Sequence, residues 1–305
     1  MLHNLLLHAE HAHGDGFWAA VGHGALEALT DGLWSIPILF LAYLLMELLE
    51  RSKRLDERIL HGYSRKAGPL LGSLLGIVPQ CGISGAAATL FSTGSITVGT
   101  MLAVFFATSD EMLPILFSSL MDQSVSLSDV LWIVAGKMAL GVVLGYLADL
   151  ILRPILRSGK DIHSFCHREH CSCDEEEGNV LLSALKHTLK IAVMLIAVNF
   201  ALNMILEWVG VEKLSASILS TPVLGVILIA LIGLIPNCSV SVVLTQSYLS
   251  GVIGVGGLFA GLLSNAGIGL LVLLRSNKNH RENLIITATL FALSALTGVI
   301  LSFVF

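Results

Sequence analysis

The chain has 305 residues, 55% of them hydrophobic and only 13% charged, with mean hydropathy +0.83 and a formal net charge of −5. A soluble domain carries about 25% charged residues, so this composition excludes an ordinary soluble protein, and no nucleic-acid partner is expected. Several runs of about 20 residues with few or no charges are long enough to cross a bilayer as helices, which predicts an all-α integral membrane fold.

Residues 1–23 form a His-rich segment with His3, His8, His11 and His13. No Lys or Arg precedes Arg51, so the basic start of a secretory signal is not seen. Apolar blocks follow at about 24–50, 68–92, 95–121, 128–152, 181–208, 217–249, 252–275 and 284–305. In the first of them His23, Glu27 and Asp31 share one helix face, as do Asn199, Asn203 and Glu207 in the fifth. Each spacing suits either a relay of ligands or a solvated helix end.

The second block carries the stretch "GIVPQCGISG" at 76–85, and the sixth carries "GLIPNCSVS" at 233–241. Proline removes a backbone donor and breaks a helix, so each block reads as two half-length helices around a Pro-x-Cys turn. Superposing Cys81 on Cys238 places Thr108-Ser109-Asp110 opposite Asn265-Ala266-Gly267, so a polar interruption recurs in the following helix. This is the mark of an internal repeat, with repeat 1 at 24–152 and repeat 2 at 181–305. The segment 153–180 between them reads as a polar loop.

Whether each Pro-x-Cys block crosses or turns back is decided by basic residues, which favour the cytoplasmic face. Segment 51–66 holds six, region 153–190 holds six, and 275–281 holds Arg275, Lys278 and Arg281. Segments 1–23 and 121–129 hold none, and 208–217 only Lys213. All basic regions share one face only if each block is a re-entrant hairpin. The expected fold is therefore two inverted repeats, each of three transmembrane helices plus one hairpin, about ten helical segments in all. Both termini then lie outside. Two hairpins meeting at mid-membrane from opposite faces are a common build of secondary transporters.

The candidate substrate-binding residues follow from that meeting point: Gln80, Cys81, Ser84, Asp110, Glu111, Asn237, Cys238, Ser239 and Asn265. Ser241, Thr245 and Gln246 flank the second tip. An acidic residue at mid-helix costs on the order of 3 kcal/mol, so Asp110 and Glu111 are read as a cation site or proton relay. Lys137 is read as a proton-coupling group or as the ion-pair partner of Asp110. Thiols suit thiophilic metals or trivalent arsenic, whereas carboxylates and amides suit Mn²⁺. His163, Cys166, His167, His170, Cys171 and Cys173 of "HSFCHREHCSCDEEE" form an accessory metal-binding tract. The glycine pairs Gly72/Gly76, Gly141/Gly145 and Gly257/Gly261 mark close helix packing.

The stretches "GIVPQCGISGAAATLFSTGSITVGTMLAVFFATSDEMLPIL" and "GLIPNCSVSVVLTQSYLSGVIGVGGLFAGLLSNAGIGLL" resemble a prokaryotic membrane family described as ten-helix heavy-metal exporters. Its members are also labelled arsenic efflux proteins or manganese transporters. The resemblance implies efflux across a bacterial inner membrane. The expected function is thus secondary export of a metal or metalloid ion by proton antiport, a divalent metal such as manganese ahead of an arsenical. An organic-anion transporter, drawn by helix N-termini, is the alternative. An intramembrane thiol enzyme is the last alternative, but no CxxC pair or nucleophile–base pair lies in the membrane blocks, and neither an enzyme nor a resident cofactor is expected; without a GxxxxGK[ST] motif, any ATP drive would need a partner. The partners are the bilayer and the transported ion; homo-oligomerisation is left open.

Overall fold

The computed structural model describes residues 57–78, 81–108, 112–121, 125–152, 222–277 and 279–304, with a few isolated positions besides. The expectations for segment 1–23, for blocks 24–50 and 181–208, and for the loop 153–180 with its six His and Cys residues lie outside the described residues. Among those described, all regular structure is helical. Ten helices run in chain order: α1 Glu57–Gly76, α2 Cys81–Ser92, α3 Val98–Ala107, α4 Met112–Met121, α5 Leu127–Leu152, α6 Pro222–Gly233, α7 Cys238–Leu249, α8 Val255–Ser264, α9 Ile268–Ser276 and α10 His280–Val304.

Four runs are long and apolar enough to cross a membrane: Val98–Met121, Leu127–Leu152, Val255–Ser276 and His280–Val304. The first and third are each interrupted midway, giving α3–α4 and α8–α9. Their apolar windows are 80% and 89% buried, against 33% for each of α5 and α10. The interrupted runs are therefore central and the continuous ones peripheral among the described residues. Leu131, Val143 and Leu150 on α5, and Leu284, Ile300 and Phe303 on α10, are exposed, as suits contact with acyl chains. The basic segment 51–66 is helical from Glu57, where α1 begins. That stretch contains no proline and a single glycine, so nothing stops the helix short of the membrane block.

The helix ends recur at one displacement. Cys81 and Cys238, Ser92 and Leu249, Val98 and Val255, and Ala107 and Ser264 are each 157 residues apart. The turns after α2 and α7 match too. Gly94 and Gly251 have φ of 83° and 73°, a left-handed conformation that favours glycine. Ser95 N donates to Leu90 O at 2.9 Å, and Val252 N to Ser247 O at 2.8 Å.

Packing repeats with the same displacement. A Cβ on Gly76 would lie 2.7 Å from Val104 O and 2.9 Å from the Ala107 Cβ; one on Gly233 would strike Gly261 O and Ser264 Oγ. Gly72 lies against Thr100, so α1 and α3 run in the same sense at backbone contact. α3 and α5 run in opposite senses, with Gly99 against Gly145 and Asp149, and Gly141 against Ala103 and Ala107. The second group repeats this: α6 runs with α8, and α8 runs against α10, with Gly256 at Gly298 and Ser302.

A topological consequence follows. α1 and α3 point the same way, and only five residues join α2 to α3. α2 must therefore return from the end of α1 to the start of α3. Its 12 residues span about 18 Å at 1.5 Å per residue, near the length of α3. The same holds for α7 between α6 and α8. α2 thus runs back from the level of the end of α3 toward its start, and α7 does the same beside α8.

The start of α3 is pinned by α5. Asp149 accepts from Thr97 Oγ1 at 2.9 Å and from Gly99 N at 2.8 Å, while Thr97 Oγ1 accepts from Thr100 N at 3.2 Å. Removing a cap costs roughly 1–2 kcal/mol. Asp149→Ala should lower unfolding stability in detergent by about that amount; an unchanged unfolding midpoint would show that the cap carries no load. Asn277 ties the α9–α10 turn, donating to Glu282 Oε2 at 3.1 Å and Asn283 Oδ1 at 2.9 Å.

Candidate functional site

Four helix interruptions lie at one depth. α1 stops at Gly76 ahead of Pro79, and α6 at Gly233 ahead of Pro236, because proline cannot supply the next ladder donor. The Gly76–Ala107 and Gly233–Ser264 contacts set each hairpin tip beside the interruption of the neighbouring crossing. The two groups meet at Gly269, whose Cβ would lie 2.6 Å from Phe105 at the end of α3 and 2.8 Å from Ser84 near the start of α2. The end of α3, the start of α2 and the start of α9 therefore converge, and they come from both halves of the sequence. Trp132 on α5 adds an edge-to-face contact with Phe259 on α8, centroids 5.7 Å apart.

This geometry collects helix ends of both signs. The last carbonyls of α1, α3, α6 and α8 and the first N–H groups of α2, α4, α7 and α9 lie at the interruptions. A helix has unsatisfied groups at both ends, with partial positive charge at the N-terminus and partial negative charge at the C-terminus. Such a region can hold a cation on carbonyls or an anion on amides.

Side chains sort around it as follows. Ser84 and Asn237, at 0% and 3% exposure, are buried, as are Ser241, Thr245 and Asn265. Asn237, Ser241 and Thr245 recur every four residues and so share one face from the second tip into α7. Asn265 Oδ1 accepts from Gly267 N at 3.0 Å, and Asn265 N donates to Gly261 O at 3.1 Å. The amide thus shapes the α8–α9 interruption as well as facing it. Thr108 occupies the matching place after α3, with its hydroxyl donating to Val104 O at 2.7 Å.

Lys137 is 2% exposed although it carries an ammonium, and it sits on α5 level with the α3–α4 interruption. Its Nζ donates to the carbonyl of Thr108. It is therefore a cation seated on the carbonyl end of α3. Its counterpart follows from the matched contacts Gly99–Gly145 and Gly256–Gly298, which pair Lys137 with Leu290. Leu290 is fully buried. One interruption has a built-in positive charge and its mate has an aliphatic side chain.

Gln80, Asp110 and Glu111 lie outside the described residues, and of Cys81, Cys238 and Ser239 only the backbone is described. Cys81 and Cys238 each begin a helix, α2 and α7. Among the described residues no group of three or more His, Cys, Asp or Glu side chains is placed to hold a metal ion. The structure brings Ser84, Thr108, Lys137, Asn237 and Asn265 to the level of the interruptions. Thr108 was legible only as part of a polar interruption; nothing in the sequence marked its carbonyl as the acceptor for Lys137. Gly269 carried no signal beyond being one glycine among 29.

Comparison of the chain with protein-family models, with curated proteins and with solved structures gives no match.

Proposed function

We propose that the chain is a secondary transporter that exports a metal or metalloid ion through a bacterial inner membrane by proton antiport. A divalent cation such as Mn²⁺ is the favoured cargo and an arsenical the next. The observation that carries this reading is the convergence of two hairpin tips and two interrupted crossings at one depth. Broken backbone in a bilayer leaves polar groups that cost several kcal/mol each unless they line a cavity or are buried in protein. Four such breaks gathered together are what a mid-membrane ion site requires.

Helix directions support the inverted layout. α2 runs against α3. Ser84 in the first turn of α2 meets Gly269 at the start of α9, and the two short helices pack along one another, which favours a common sense. α9 carries α8 onward to the start of α10, so α8 would oppose α3. Ten helical segments in two opposed halves, with the basic regions cytoplasmic and both termini outside, fit this arrangement.

Asp110 or Glu111 would carry the coupled proton, and Gln80, Asn237, Ser239 and Asn265 would supply oxygen ligands, with Cys81 and Cys238 reserved for thiophilic cargo. The second reading, transport of an anion, draws on Lys137 and on the helix N-termini at Ser84 and Gly269. Purified protein in vesicles, offered Mn²⁺, Zn²⁺, Cd²⁺, arsenite and a carboxylate panel under an imposed pH gradient, decides between them. Mn²⁺ flux that collapses the gradient is expected. Cys81→Ser with Cys238→Ser should leave Mn²⁺ flux intact while abolishing any arsenite flux. Carboxylate flux without metal flux would replace the cation reading, and no flux of any kind would remove both.

A further inference from the structure

The two halves agree in helix ends and scaffold packing but differ in how each returning hairpin arm meets the other half. α2 packs closely along α9, whereas the matching pair, α7 and α4, is in much looser contact. One pair of matched residues differs at this contact. Gly269 on α9 lies where a Cβ would meet Phe105 at 2.6 Å and Ser84 at 2.8 Å, so the close approach of α9 to α2 requires the absence of a side chain. At the displacement of 157 that relates the two halves, the residue matching Gly269 is Met112, at the start of α4, and Met112 is fully buried. A thioether chain stands at the position where the other half has glycine, and methionine is unbranched and adapts its rotamers to its surroundings. The α7 face carrying Asn237, Ser241 and Thr245 is polar over about two turns, and these residues are buried. Its counterpart on α2 has Ala88 in place of Thr245 and is apolar at that depth.

The scaffolds to either side are unsuited to movement. α1, α3 and α5, and likewise α6, α8 and α10, are joined through glycines at backbone contact, and such interfaces resist sliding. α7, by contrast, follows the non-helical stretch 234–237, where backbone torsions can change without breaking a helical ladder.

We propose that the seam between α4 and α7 is the gate through which cargo reaches the mid-membrane site, with Met112 as the spacer that lets it part and the Asn237–Ser241–Thr245 face as its polar lining. The α2–α9 seam, closed by Gly269, is the static one. The inference rests on the transport reading for its purpose, but its geometry is tested without cargo. The cargo class is that of the site, a small cation passing hydroxyl and amide oxygens.

The test measures two distances by pulsed electron resonance in the full-length chain in nanodiscs, with the native cysteines replaced. One spin-label pair is placed by Met121→Cys with Ser250→Cys across the gate, and the other by Leu90→Cys with Leu274→Cys across the static seam. A broad or two-component distribution is expected across the gate and a narrow one across the other seam. Met112→Gly should move the gate distribution to its short component, with Met112→Ala shifting it part of the way should the glycine variant not fold. Gly269→Ala should lengthen the Leu90–Leu274 distance. A narrow gate distribution that neither Met112 variant alters, or a broad distribution confined to the α2–α9 pair, overturns the proposal. Vesicle flux of Mn²⁺ through the otherwise native protein separates the two claims. A moving gate without flux removes the cargo assignment and leaves the gate standing, whereas flux through a protein whose gate pair stays fixed removes the gate alone.

Discussion

Lys137→Met is expected to lower stability by about 2–3 kcal/mol and to abolish ion flux in vesicles, with Lys137→Arg recovering part of both. The magnitude follows from the ammonium's place. It is buried at the depth of the α3–α4 interruption and donates to Thr108 O. A hydrogen bond to a charged group contributes about 1.5–3 kcal/mol, and a cation at a helix C-terminus adds about 0.3–1 kcal/mol. Methionine fills similar volume and removes the cost of burying a charge, which works in the opposite direction. The carbonyl it leaves behind stays in a low-dielectric interior, and the cost of an unpaired buried acceptor outweighs the relief. Unfolding in detergent reads the first effect and Mn²⁺ flux the second. A Lys137→Met protein as stable and as active as the parent would show that the ammonium is neither anchor nor part of the site.

Gly256→Leu is expected to prevent assembly of the second scaffold, while Gly254→Ser, two residues earlier, changes stability by less than about 0.5 kcal/mol. A Cβ on Gly256 would lie 2.5 Å from Gly298 O and 2.6 Å from the Ser302 Cβ. Both neighbours belong to α10, one of them is backbone, and no rotamer change makes room. Overpacking typically costs 1–3 kcal/mol where side chains can yield; here two helices must separate along their contact, so about the upper end or more is expected. Gly254 has nothing within 4 Å and an ordinary φ of −81°. It caps α8 without a side-chain bond, and a serine there would supply what Thr97 supplies to α3. Expression and monodispersity in detergent, followed by thermal unfolding, compare the two variants. Equal behaviour would mean that the α8–α10 contact is not close in the folded protein.

The site was partly legible before any coordinates. Pro79 and Pro236 marked the breaks after α1 and α6, because a missing donor acts locally, although α1 runs on through Pro69. The spacing of Cys81 and Cys238 likewise located a repeat that helix ends and glycine contacts follow with the same displacement. The glycines Gly72, Gly76, Gly141 and Gly145 were read as packing residues, and they lie at backbone contact with neighbouring helices. What Lys137 touches was not legible, since candidate partners at similar depth are set by helix rotation, and periodicity does not give the angle between helices. The contrast between Gly269 and Met112 was invisible for the same reason: a glycine's role depends on what approaches it.

The amino-acid order alone determined that this is an apolar helical chain, that its Pro-x-Cys blocks break, and that its two halves share a plan. Those properties follow from hydropathy, proline chemistry and spacing, all of which act within about a turn or a helix length. Only the tertiary structure decided which helices meet at backbone contact, and that α2 packs closely on α9 while α7 stays loose on α4. Such choices depend on contacts between residues far apart in the chain, where a single missing side chain sets how near two backbones come.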